Sequence, residues 1–211
     1  TSRPAAEKSP PSLGVGLRRP QVVALLAACF FMSAAHGPFY VFFSIHLVDH
    51  GYGKAIVGAL WSLGVIAEIG VFVLMPRLMR AYSLRVILLA SFALAVLRFL
   101  LIGWQVESVA LLLAAQVMHG ATFGAYHAAA VAALNHWFPS QQQGRVQALY
   151  GSVSFGAGGI LGNLVSGEAW GSFGPGWTYT LGSAFAAIGG LLIWRGMSAA
   201  DTSEMRRGAM R

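Results

Sequence analysis

Residues 116–130 read QVMHGATFGAYHAAA, which sets two histidines inside a run of small and apolar residues. Gln116, His119, Phe123, Tyr126 and His127 recur at steps of three and four, a continuous stripe along one side of a helix. Imidazole, amide and phenol groups on one face can hydrogen-bond a solute or hand on a proton. The same groups can also do no more than tie one helix to another, and His127 stands evenly between those readings. Upstream, SAAHGPFYVFFSIHL puts His36, Tyr40 and Phe43 on a second such face, although Phe39, Phe42 and Phe43 also read as plain packing. Two full charges complete the set: Glu68 in GVIAEIGVF and Arg98 in LAVLRFLLIGW. If their helices run antiparallel, the two reach similar depths, and they read either as a buried pair or as a working pair. In the second reading Arg98 partners an anion, or Glu68 takes up and releases a proton.

The elements that must carry these residues follow from composition. With 56% hydrophobic and 10% charged residues, the chain is far too apolar for a soluble domain. Six apolar runs, near 21–48, 55–76, 84–104, 108–137, 146–170 and 177–197, are each long enough to cross a hydrocarbon core of about 30 Å. A run of that length must satisfy its backbone internally, and the alternation of a barrel strand is absent, so the fold class is an all-α membrane protein with six transmembrane helices. Polar side chains at mid-depth are costly against lipid, so the stripes are expected to face the bundle interior or a watery cavity. Beside the polar stripe, Gly120, Gly124 and Ala128 offer a small-residue stripe for close helix approach, and Gly158 and Gly162 form a G-x-x-x-G pair. Gly37 and Pro38 predict a kink in the first span.

Of the 14 Lys and Arg residues, Lys54 falls on one side of the membrane, Arg98 lies within a span, and the rest gather on the other side. That side is expected to be cytoplasmic, with both termini on it and the protein in a cell inner membrane. The net charge of +7 is thereby explained as topology, and nucleic acid is not an expected partner. Residues 1–19, rich in Pro, Ser and Gly, read as a cytoplasmic linker, 20–198 as the six-helix bundle, and 199–211 as a cytoplasmic tail. A start at Thr1 inside a linker suggests the second part of a longer chain. Cys29 stands alone in an apolar run and reads as a core residue.

An enzyme reading finds little to stand on. There is no H-E-x-x-H, G-x-G-x-x-G, Walker A or C-x-x-C motif, and Ser166 lacks the flanks of a nucleophile elbow. No metal ligands or cofactor are expected. A self-contained six-helix structural or receptor protein is the rival reading, and a haem protein using His36, His119 and His127 ranks third.

Three stretches carry a resemblance: HGPFYVFFSIHLVDHGYGKAIVGALWSLGVIAEIGVF, MPRLMRAYSLRVILLASFALAVLRFLLIGW and HGATFGAYHAAAVAALNHWFPSQQQGRVQALYGSVSFGAGGILG. Together they resemble the second half of a major facilitator superfamily transporter, nearest the group of 3-phenylpropionate permeases and lactose and nucleoside proton symporters. The resemblance spans residues 20–197 and implies helices seven to twelve of a twelve-helix protein, with the missing N-terminal six-helix half as the partner of this one. The superfamily's loop motif falls on PRLMRAYSLR, where Arg85 fits while Pro76, Arg80 and Ser83 replace the glycine, acid and second glycine. Gln116-x-x-His119-x-x-Thr122 is similar to the lactose symporters' Lys-x-x-His-x-x-Glu, keeping the histidine and losing both charges. The implied activity is proton-coupled import of a small organic anion such as an aromatic carboxylate. Tyr40, Phe43 and Tyr126 would give aromatic contact, His36, Gln116 and His119 hydrogen bonds, and Glu68 or His119 the proton site.

Overall fold

The computed structural model describes residues 13–198, and within them every regular element is helical. A short helix α1 (Leu13–Leu17) precedes α2 (Pro20–Ala35), so the last stretch of the expected linker is helical, with Gly16 packed under Phe138. Residues 1–12 and the tail from 199 lie outside the described residues.

The chain continues through α3 (Gly37–Asp49), α4 (Lys54–Ala81), α5 (Leu84–Trp104), α6 (Val109–His119), a π-helical segment Gly120–Ala125 and α7 (Tyr126–Trp137). Then come α8 (Ser140–Gly151), a second π segment Ser152–Gly158 and α9 (Gly159–Gly196). Five of the resulting runs are long and apolar enough to cross a membrane, and the last of them covers 57 residues.

That last run cannot be one crossing: at 1.5 Å per residue it would be about 85 Å long. It reverses at Gly174, whose φ of 80° and ψ of 177° are open to glycine and strained for other residues. Pro175 follows and starts the next segment with its fixed φ and no orphaned N–H. The neighbours along the first span prove the reversal. Gly158 packs on Phe30, Gly162 on Ala34 and Trp170 on Phe42, ascending; Gly182 packs on Ala35 and Gly196 on Ala24, descending.

The kink expected in the first span is present at His36, where α2 ends and α3 begins with Gly37 and Pro38. Both small-residue stripes pack as their composition requires. Gly120 abuts the Ala67 backbone and Gly124 abuts Glu68, so α4 lies directly on the first π segment. Gly158 and Gly162 bring α9 onto the Phe30 and Ala34 carbonyls, and Gly37 meets the Gly162 backbone. Side chains there would meet main chain, which cannot rotate away. Gly162→Val is therefore expected to cost about 1–3 kcal/mol as a lower melting temperature in detergent; an unchanged melting curve would contradict this crossing.

The core lies between α2, α5 and the second half of α9, with Leu25, Leu88, Phe92, Ala95 and Ile193 buried. The outward surface is apolar, with Ile66, Ile69, Val73, Leu164 and Phe173 all exposed. In water this would be a liability, and against lipid chains it is the expected finish.

Candidate substrate site at three helix interruptions

Three departures from regular α-helix meet at one place. The His36–Gly37–Pro38 break, the π segment Gly120–Ala125 and the π segment Ser152–Gly158 each supply walls to one pocket. It is lined by Met32, Ser33, His36, Tyr40, Phe123, Tyr126, Ser154 and Phe155, and its free volume is about 20 Å³, room for about one water. A π turn inserts a residue into the ladder and re-aims the side chains on it, which is why such turns gather at working sites.

Aromatic rings dominate the lining. Phe123 and Phe155 approach to 6.2 Å between centroids, and His36 stacks on Tyr40 at 5.9 Å. Tyr40 is half exposed, and its ring lies parallel to Trp61 of α4 at 6.4 Å. Tyr126 is buried and donates its hydroxyl to the Cys29 carbonyl at 3.4 Å, and Ser154 donates to the same carbonyl at 3.0 Å. These two bonds tether the start of α7 and the second π segment to α2.

His119 sits one layer behind, stacked on Phe123 at 5.5 Å and 6.1 Å from the His36 ring. Its Nε2 lies 3.8 Å from Glu68 Oε2, the one ion-pair contact among the described residues. The direct Glu68–Arg98 pair expected from depth is therefore not formed. Glu68 faces the small-residue face of the first π segment, next to Gly124, whereas Arg98 enters the bundle between other rings.

Arg98 is wholly buried. Its Nε donates to the Ala115 carbonyl at 2.9 Å, and its guanidinium carbon lies 4.1 Å from the Phe39 ring centre and 5.2 Å from that of Phe99. Those rings in turn touch His119 and His36, so the cation is one ring away from the pocket. Both Nη atoms lack a hydrogen-bond partner, as do both side-chain polar atoms of Gln116, His119 Nδ1, His36 Nε2 and the Tyr179 hydroxyl. Cation–π contact offsets part of the cost of burying the charge, but no carboxylate neutralises it.

The structure thus gathers His36, Tyr40 and Tyr126 at the pocket, with His119 and Arg98 behind it and Glu68 beside His119. Gln116 is fully buried and faces Gly64 of α4. Phe43 lies elsewhere, buried against Phe39 and Trp61. His127 is hydrogen-bonded through Nδ1 to the Tyr150 hydroxyl at 2.9 Å, a tie between α7 and α8. Sequence reasoning did not find Ser154, Phe155 or Tyr179. Their signal was hidden, because the fifth span shows only its glycines and Tyr179 follows a reversal of a single residue.

An all-helical chain with apolar outer faces and broken helices around an aromatic, polar-backed pocket is a multi-pass membrane protein of transporter type. The model of the MFS_1 like family matches residues 4–181, and the chain belongs to that family, a branch of the major facilitator superfamily. Among curated proteins it is similar to the probable 3-phenylpropionic acid transporter of Escherichia coli (strain K12), with 35% identity over 135 residues. That match covers 62% of this chain and 34% of the relative, so the chain spans about a third of the length of the relative it matches. No solved structure matches.

Proposed function

We propose that this chain is the C-terminal six-helix half of a twelve-helix symporter that imports a small organic anion, such as an aromatic carboxylate, together with protons. The observation that carries the reading is the convergence of three helix interruptions on one aromatic pocket, backed by a buried arginine without a carboxylate. Two folded-back segments within the last run bring the crossings to six, and alternating access would work this half against the N-terminal half around a midplane site. Residues 1–19 are then the central linker, residues 20–198 the bundle, and both termini are cytoplasmic in the inner membrane. Among the described residues, Arg18, Arg19, Arg77, Arg80, Arg85, Arg145 and Arg195 at one end, against Lys54 at the other, support that orientation.

In this reading the rings of Tyr40, Phe123 and Phe155 hold the substrate's apolar part, and Arg98 supplies the attraction for its carboxylate. Glu68 and His119 form the proton site, since a carboxylate beside an imidazole can share and release one proton. The test is uptake of labelled 3-phenylpropionate into vesicles bearing the full-length protein, with and without an inward proton gradient. Gradient-driven uptake that is lost in His119→Ala is expected. Uptake without gradient dependence would remove the proton, and no uptake would remove the substrate class.

A further inference from the structure

The pocket's one buried histidine has its tautomer fixed by geometry. His36 is 2% exposed, and its Nδ1 lies 2.8 Å from the Met32 carbonyl. A carbonyl can only accept, so Nδ1 carries the hydrogen, and in the neutral ring Nε2 is left as a pure acceptor. No carboxylate lies against the ring to hold a second proton, the sole ion-pair contact among the described residues being His119 with Glu68. Nε2 is buried and has no partner. A buried acceptor left unpaired is costly, and a site built around one favours a ligand that brings the donor.

The other lining residues do not compete for that nitrogen. Ser154 and Tyr126 already donate to the Cys29 carbonyl, Met32, Phe123 and Phe155 have no donor side chain, and the hydroxyls of Ser33 and Tyr40 are not bonded to Nε2. No cation lines the pocket. A carboxylate anion has no hydrogen to give Nε2, so the anionic end and the ring end of a substrate must be met by different groups.

We infer that His36 is a specificity-determining residue, and that the preferred cargo is an aromatic acid bearing a hydroxyl on its ring, donated to His36 Nε2. This rests on the aromatic-acid reading above and narrows it. The neighbouring donor that would make it unnecessary is Arg98, whose free Nη atoms belong to the same buried cluster.

The experiment is competition against labelled 3-phenylpropionate uptake by the full-length protein. Competitors are unlabelled 3-phenylpropionate, its 3- and 4-hydroxyphenyl counterparts and the 3-methoxyphenyl counterpart, which accepts but cannot donate. One net hydrogen bond predicts that at least one hydroxylated acid competes about fivefold better than the parent acid, and the methoxy acid no better. In His36→Phe, which keeps a ring and loses the acceptor, that preference is expected to vanish, the hydroxylated acids competing no better than 3-phenylpropionate for the uptake that remains. Equal competition by all four acids in the unaltered protein overturns the inference without using any variant, and so does a hydroxyl preference that survives His36→Phe. Absence of labelled uptake altogether overturns the aromatic-acid reading itself and this inference with it.

Discussion

Arg98→Met is expected to leave the bundle at least as stable as the parent while lowering substrate uptake about a hundredfold. The two halves of that result have different causes. Arg98 holds a full charge at zero exposure with one hydrogen bond, two ring contacts and no acid. A charge within a span costs about 2.5–3.5 kcal/mol on insertion scales. Exchange of such a residue for an apolar one of similar length is often neutral or stabilising. Transport should move the other way, because removing one partner of a buried charge contact costs about 2–5 kcal/mol, and the anion would lose the one buried Lys or Arg among the described residues. Melting temperature in detergent and initial uptake rate read the two halves separately. A protein that loses stability and uptake together would show that Arg98 is a structural strut, held by a partner other than substrate.

Glu68→Gln is expected to abolish accumulation while sparing exchange. Glutamine keeps the shape of the side chain but cannot take up a proton. Glu68 is only partly buried, so water can reach it, and its Oε2 is 3.8 Å from His119 Nε2. With one proton carried per anion, a pH difference of one unit drives about tenfold accumulation, and the variant should only equilibrate. Counterflow of labelled against unlabelled substrate should persist. The double variant Glu68→Gln, His119→Gln should be no worse than either single one, since groups that act as a unit are not additive. Full accumulation by Glu68→Gln would move the proton site elsewhere.

Much of this molecule is legible in its residues. Hydropathy and length give the crossing helices, Gly37 and Pro38 give the break in the first, and the glycine spacings give the tight crossings at Gly120, Gly158 and Gly162. What periodicity cannot supply is the π segments. One extra residue per turn in Gly120–Ala125 and Ser152–Gly158 leaves no mark in composition, yet it decides where Phe123, Ser154 and Phe155 point. Depth counting also placed Glu68 near Arg98 without knowing which side of each helix they share. The rotation set by Gly120 and Gly124 against α4 gives Glu68 to His119 instead. Phe43 shares the spacing of His36 and Tyr40, but the break at His36 lies between them and the rest of α2, and Trp61 covers it. The reversal at Gly174 was foreseen as a gap between two spans, whereas in the fold a single residue with φ of 80° makes it.

The central claim, that protons enter with the anion through this site, is tested most directly by a pH electrode. De-energised vesicles bearing the full-length protein in weak buffer are given a pulse of 3-phenylpropionate, and the outside pH is followed. The account predicts prompt alkalinisation in proportion to uptake, and none above the passive level of empty vesicles when the protein carries Arg98→Met. Uptake of the labelled acid with no alkalinisation above that level would contradict it.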